Sequence, residues 1–390
     1  MPRIFLKKKI TTPLAAGFPW IFEGDMGEVE GSVTSGEIIP VFTHNGSFVG
    51  KGFYSETSKI KVRILSRSRN EEIDLAWWRR QLKKCRQYRE RFHLTENCRL
   101  VYGESDGLPG LIVDRLGGYL IVQSLTAGMD AQLEILGPLL QEVFTPQGIF
   151  LKNDAASRTA EGLEKYTGFL SPPFESTFSF QTSGITAGAD LAQGPPTNFF
   201  LDNRQVINTV LPLLQDARVL VPFCRTGIFE AQACLHGAAS VQAIMADEKW
   251  LPQALLNTQK NGVAEKVFIS AGNAFDFLKQ GAQAAQKYDL IFLDPPNFAK
   301  GKATLPQARN AWRELNLRAM QLLKPGGFLA TTTRSHLMAM QEFTELLQSC
   351  ARSAGKAMRI AAEGGLPPDF PRLPYLPQGD YLKFILAEIS

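Results

Sequence analysis

The chain has 390 residues, a formal net charge of +4 and 44% hydrophobic residues, enough for two or three domains with ordinary cores and too little charge to name a partner unless it is clustered. No apolar run reaches the roughly 20 residues of a membrane helix, and Met1-Pro2-Arg3-Ile4-Phe5-Leu6-Lys7-Lys8-Lys9 has no apolar signal core, so a cytoplasmic protein without membrane association is expected. The five cysteines (Cys85, Cys98, Cys224, Cys234, Cys350) are scattered and the four histidines do not join them at ligand spacing, which argues against a disulfide framework and a metal site.

Residues 1–70 are expected to form a small β-rich domain. Strand-like pieces lie at 37–42, 47–50 and 60–65, and Asn45-Gly46 favours a hairpin between the first two. Gly50 and Gly52 predict a tightly curved strand or bulge. Lys7, Lys8, Lys9, Lys51, Lys59, Lys61 and Arg63 cluster here and form a candidate surface for an anionic partner. A central α/β domain is expected over 71–181. It opens on a helix at 71–93 whose first turn is acidic and whose buried face is read as Leu75, Trp78, Leu82 and Cys85. Its many basic residues suit either phosphate contacts or an ordinary solvated face. The turn cluster 104–110 then feeds a hairpin of 111–113 and 119–123.

From residue 182 onward strands alternate with helices, which predicts a doubly wound, mostly parallel sheet in the C-terminal domain 182–390. Strands are read at 217–223, 241–245, 266–270, 288–293 and 327–332, and helices at 204–214, 227–236, 248–261, 272–280, 305–323 and 339–354. Lys324-Pro325-Gly326-Gly327 reads as a turn before the last strand.

Two turns carry the chemistry. The run Tyr288–Leu293 is apolar without alternation, as in a strand covered on both faces, and ends in Asp294-Pro295-Pro296-Asn297-Phe298. The prolines stop the strand and hold the carboxylate at its carboxyl end, where open α/β sheets bind ligands. The strand 217–223 runs into Cys224-Arg225-Thr226-Gly227, a turn before a helix N-terminus whose backbone N–H groups suit a carboxylate or nucleoside. One glycine is a weak fingerprint, and Cys224 by itself reads as a small packed residue.

In combination these segments resemble a known family over nearly the whole chain. The matching residues are Ala16-Gly17-Phe18-Pro19-Trp20-Ile21-Phe22, Gly50-Lys51-Gly52-Phe53-Tyr54, Glu104 to Arg115, Asn198-Phe199-Phe200-Leu201-Asp202-Asn203-Arg204, Phe223 to Gly227, Asn257 with Asn261-Gly262, Ala274-Phe275, Asp294 to Phe298 and Gly379-Asp380-Tyr381-Leu382-Lys383. The sequence is similar to the large-subunit ribosomal RNA methyltransferases that join a PUA domain, a small central domain and a Rossmann-like class I methyltransferase domain, several of which make 5-methylcytosine. The resemblance implies an N-terminal β-barrel-like PUA domain, S-adenosylmethionine as cofactor, rRNA as substrate and a homodimer. It implies cofactor contacts at Asn203, Arg204, Phe223, Arg225, Thr226, Gly227, Met245, Ala246, Asn273, Ala274 and Asp294; Asp294, and Arg334 by its residue type rather than by the resemblance, are the catalytic candidates.

The departures from that pattern carry expectations of their own. Val221 replaces an acidic or Asn residue on the first strand, and Ile228 replaces a second glycine. Met245 falls where a carboxylate holds the ribose hydroxyls, with Asp247 two residues on. Asn273 replaces an acid, and Pro195-Pro196 replaces Gln-Lys. Arg334, in Thr333-Arg334-Ser335-His336, occupies the place of the nucleophilic cysteine. Arginine supplies no thiolate, so the covalent route to 5-methylcytosine is not expected. Two readings stay open: methylation of a base nitrogen, with Asp294 orienting the base, or a non-catalytic RNA-binding member. Arg334 is read either as a contact to phosphate or guanine or as a salt-bridged side chain.

Overall fold

Alternating burial builds the N-terminal sheet. In β2 (Trp20–Phe22) only Ile21 faces the core, and in β6 (Ile60–Ser66) Val62, Ile64 and Ser66 do. These strands join β1 (Arg3–Leu6), β3 (Met26–Glu30), β4 (Ile38–Phe42) and β5 (Phe48–Tyr54) in a six-stranded sheet ordered β2-β6-β5-β4-β1-β3. Asn45-Gly46 closes the β4–β5 hairpin, with Gly46 at φ +81°. A Cβ on Gly52 would lie 2.1 Å from the Arg63 carbonyl oxygen, and the register of β5 against β6 shifts at that point, the bulge expected of a strand glycine. The computed structural model describes residues 2–7, 12–192, 201–284 and 286–390. Lys8, Lys9, Pro195, Pro196, Asn198, Phe199 and Phe200 therefore lie outside the described residues.

A second sheet follows, ordered β11-β10-β9-β8-β7. Its strands are β7 (Cys98–Tyr102), β8 (Leu111–Leu116), β9 (Tyr119–Ser124), β10 (Gly148–Asn153) and β11 (Tyr166–Phe169), with β8 and β9 as the expected hairpin. The helix Leu75–Glu90 packs into the same core as these strands. It starts later than expected because Asp74 caps it, accepting from the Trp77 N–H at 2.7 Å, so Glu71 and Glu72 precede the helix. Leu75 is exposed and Trp77 takes its place in the core. The helix's cations are largely paired: Arg89 is buried on Asp106, Arg79 lies on Glu142 and Arg86 on Glu90. Phe53 of β5 departs from the core of its own sheet. It stacks on Trp78 with centroids 6.2 Å apart, and its ring fills the space a side chain at Gly128 would need, 2.0 Å from a Cβ there.

The hairpin of β12 (Thr177–Thr182) and β13 (Ile185–Asp190) leads to a seven-stranded sheet. The strands are β14 (Arg218–Val221), β15 (Ser240–Met245), β16 (Val267–Ala271), β17 (Tyr288–Leu293), β18 (Leu323–Thr333), β19 (Met358–Gly365) and β20 (Lys383–Ile389). Their order is β16-β15-β14-β17-β18-β20-β19, and β20 runs antiparallel to both its neighbours. Strand order reverses between β14 and β17, the switch point at which such sheets open a ligand crevice. Lys324 to Gly327 belong to β18 rather than to a separate turn. Gly326 at φ +79° and a register shift against β17 absorb the irregularity.

Two compact units divide the chain. One comprises Met1–Thr177, Asp190–Asn198 and Pro368–Gly379; the other comprises Phe178–Ala189, Phe199–Pro367 and Asp380–Ser390. Among the described residues no helix is long and apolar enough to cross a membrane, and no cluster of His, Cys, Asp or Glu suits a metal ion.

Candidate active site

The carboxyl ends of β14, β15 and β17 with β18 bring the expected site residues to one edge of the C-terminal sheet. Backbone bonds fix the first group. The Cys224 N–H donates to the Ile244 carbonyl (2.8 Å), and the Gly272 N–H donates to the Met245 carbonyl (3.0 Å), so the turns after β14, β15 and β16 are tied together. Gly227 has φ +74°, and a Cβ there would lie 2.7 Å from the Ala254 carbonyl oxygen. Only glycine lets this turn approach the helix Leu251–Lys260 so closely. Asn257 of that helix, fully buried, donates to the Thr226 carbonyl (2.7 Å) and accepts from the Gly188 N–H (2.8 Å), holding turn and β13 together.

Arg225 is the one cation of the turn itself, and the residues packed around it are mostly apolar. Val221 and Met245 are buried. Asp247, the shifted substitute for a ribose-binding acid, is exposed; its carboxylate is 2.7 Å from Lys249 Nζ and accepts from the Lys249 N–H. Asn273 caps the helix Ala274–Gln283 by accepting from the Phe275 N–H (2.8 Å). Ala246 is exposed, Ala274 buried and Phe223 half-buried. Cys224 is buried against Glu230, and burial, then the nearby carboxyl, push its thiol well above the ordinary value. Burial likewise raises the Glu230 carboxyl. Arg204 lines a cavity of about 20 Å³ with Leu201, Ile207, Ile228 and Gln232.

The second group concentrates charge. Asp294, 3% exposed, receives Arg334 in a two-pronged pair, Nε to Oδ1 at 2.9 Å and a terminal N–H to Oδ2 at 3.0 Å. Thr332 Oγ1 donates to the same Oδ1 (2.5 Å), and Asn203 Nδ2 donates to Oδ2 (2.8 Å). Arg334 also donates to Asp202 Oδ2 (2.5 Å) and Asn203 Oδ1 (2.9 Å), and the Tyr381 hydroxyl donates to Asp202 (2.8 Å). Burial opposes ionisation of Asp294. The fields of Arg334 and Arg225, with the hydrogen bonds from Arg334 and Thr332, outweigh it and bring the carboxyl down to about 2. Asp202 is lowered in the same way, its burial overcome by Arg334, and the two carboxylates raise Arg334 despite its burial.

This geometry corrects one expectation. Asp294 does not present an open carboxylate for orienting a base, because both its oxygens are already bonded. Asn203, expected as a cofactor contact, is a member of this network. For Arg334 the salt-bridged reading describes the side chain. Sequence reasoning did not assign a role to Asp202, Thr332 or Tyr381, which meet Arg334 from distant parts of the chain. Their only signal was that Asp202 and Tyr381 lie in segments that carried the resemblance.

Whether an adenosyl group fits here turns on one atom. Thr226 Oγ1 is buried and has no hydrogen-bond partner among the described residues, a spare polar contact in the turn where the cofactor is expected. The turn fits such a group.

Of the expected RNA contacts, Lys7 and Lys59 are exposed. Lys51 Nζ donates to the carbonyls of Arg69 and Glu71, and Lys61 Nζ to that of Glu56. Arg63 departs from the expected patch: its guanidinium is nearly buried between Glu104 (3.2 Å) and Glu161 (2.8 Å).

Comparison with known proteins agrees with this layout. Residues 4–67 match the PUA-like domain family, and residues 203–361 match the family described as conserved hypothetical protein 95. Ribosomal RNA large subunit methyltransferase I of Klebsiella pneumoniae (strain 342) is 33% identical over 98% of this chain and 97% of its own. The chain belongs to the ribosomal RNA large subunit methyltransferase I family. The member from Shewanella amazonensis is also 33% identical, covering 99% of both chains. A crystal structure described as a methyltransferase complexed with SAH superposes over all of both chains with TM-score 0.84 at 18% identity, and a Streptococcus mutans structure does so with 0.81 at 17%. The family's fold is thus a PUA-like N-terminal domain with a Rossmann-like class I methyltransferase domain, and this chain has it.

Proposed function

We propose that the chain is an S-adenosylmethionine-dependent methyltransferase of large-subunit ribosomal RNA that works with a divergent cofactor site and without a covalent cysteine. Membership in the rRNA methyltransferase family supports the reaction class. The observation that carries the finer reading is the network around Arg334, which fills the place of the thiol with a paired guanidinium.

Carbon-5 of cytosine becomes nucleophilic only after a thiolate adds to the ring. All five cysteines are buried, and Cys224, in the glycine turn, is held in its protonated form. A base nitrogen brings its own lone pair and needs no such step. The cofactor, when bound, supplies an electrophilic methyl group. Thr226, Gly227, Met245, Ala246, Asn273 and Ala274 would hold it, Thr226 through its spare hydroxyl. Phe223 and Arg225 flank the same turn. Asp294, Asp202 and Asn203 hold Arg334 in one buried orientation, so that it braces the turn after β18 rather than reaching the RNA. Lys7, Lys59 and the N-terminal domain supply further phosphate contacts. We assign 1–70, 71–181 and 182–390 to RNA binding, linkage and methyl transfer, in a homodimer.

Mass spectrometry of rRNA incubated with the protein and cofactor should reveal a methylated base other than 5-methylcytosine. Formation of 5-methylcytosine that depends on this chain would overturn the proposal. The saturated Asp294 carboxylate favours a second reading, a non-catalytic RNA-binding member. Calorimetric titration separates the two: micromolar cofactor binding supports the enzyme, and no heat at millimolar ligand supports the scaffold.

A further inference from the structure

The edge strand of the N-terminal sheet displays rings where such strands usually display charge. β2 lies at the end of the sheet order and anchors itself through Ile21 alone. Trp20 and Phe22 therefore point to its other face, joined by Phe18 from the preceding turn. Phe18 and Trp20 sit edge-on with centroids 5.6 Å apart, Trp20 and Phe22 edge-on at 6.3 Å, and Phe18 and Phe22 in offset stacking at 6.1 Å. Phe22 is 38% exposed. An aromatic cluster left open at a sheet edge costs apolar hydration and invites a partner.

The cluster is rigid and set among cations. Trp20 Nε1 donates to Glu104 (2.8 Å), and Arg63, fixed by Glu104 and Glu161, lies over the Trp20 ring at 5.6 Å. Arg67, exposed, donates to the Phe18 carbonyl (2.8 Å). Lys59 is exposed beside Ile60, the residue paired with Phe22. On the other side, the Tyr375 ring lies against Gly17, where a Cβ would be 3.1 Å from it and φ is +110°.

We propose that Phe18, Trp20 and Phe22, flanked by Arg67 and Lys59, form a stacking platform for unpaired bases of a single RNA strand. Rings accept any base through its π-face, while neighbouring cations follow the phosphates. Arg63 and Glu104 pre-orient the central ring. The platform rests on the reading of the chain as an RNA-directed protein, and it names the strand's landing point outside the cleft.

The test uses the full-length protein and a fluorescent single-stranded oligouridylate, with inorganic polyphosphate as a probe that carries charge but no bases. Phe22→Ala and Phe22→Leu should each weaken oligouridylate binding by about tenfold while leaving polyphosphate binding unchanged. Arg67→Gln should weaken both. Leucine keeps the apolar bulk and loses the π-face, so wild-type binding by Phe22→Leu overturns the proposal, as does equal binding of the two probes. Cofactor titration of the same variants separates this outcome from failure of the methyltransferase reading. Lost stacking with intact cofactor binding removes only the platform's role, whereas oligouridylate binding that needs Phe22 sustains the platform even where no cofactor heat appears.

Discussion

The turns after β14 and β18 sit at the same edge of one sheet and are built from opposite materials. The first is mostly apolar: Val221, Met245 and Ile228 are buried, Arg225 is the cation of the turn, and its buried acid, Glu230, is held toward its neutral form. The second gathers two carboxylates, a guanidinium, an amide and two hydroxyls into one buried network. A buried charge is tolerated only when paired and hydrogen-bonded. A buried polar network is therefore stable only when complete, as it is at the second turn.

The contrast breaks most visibly at Arg334. Arg334→Met leaves Asp202 and Asp294 buried without their cation and should cost about 3–5 kcal/mol, read as a large fall in unfolding midpoint. A loss under about 1 kcal/mol would mean that water reaches the pair and the network is not buried. Next comes the pH response. Asp294 titrates at about 2 in the folded chain against an ordinary 3.8. Its contribution is fully present above the ordinary value and disappears as pH falls toward about 2. The contribution is on the order of 2 kcal/mol, and Asp294→Asn should flatten the acid limb of a stability–pH curve by that amount.

Glu230 has the opposite sign. Its raised carboxyl is harmless at low pH and costs stability as pH rises through the folded value. Glu230→Gln should gain on the wild type by about 1 kcal/mol at alkaline pH, and an unchanged difference from acid to alkali would show that Glu230 is already solvated. The smallest effect is at Thr226, whose hydroxyl is buried and unpaired. Thr226→Val should leave stability unchanged or raise it by a few tenths of a kcal/mol while weakening cofactor binding. Equal cofactor affinity in the two proteins would remove Thr226 from the site.

Local pattern carried much of the fold. The uninterrupted apolar run of β17 and the strand–helix alternation placed the five parallel strands of the C-terminal sheet within a few residues of their observed bounds. β19 and β20 escaped because nothing local marks a strand that inserts antiparallel between β18 and the edge. At the first turn, the strand–turn–helix pattern ending at Gly227 was legible in the sequence. The Arg334 network was not, because its members lie up to 179 residues apart (Asp202 and Tyr381) and meet only through the sheet. Arg63 misled for a related reason. Its neighbours in sequence are basic, but its partners Glu104 and Glu161 come from the next sheet's connections.

The seating of Phe53 against Gly128 and Trp78 has a practical consequence. A fragment ending near residue 70 would bare a benzyl side chain that the full chain keeps 2% exposed, so it should self-associate rather than behave as an isolated module. A chimera that places this chain's N-terminal segment on another member needs a glycine at the position matching Gly128, because a Cβ there would lie 2.0 Å from the Phe53 ring.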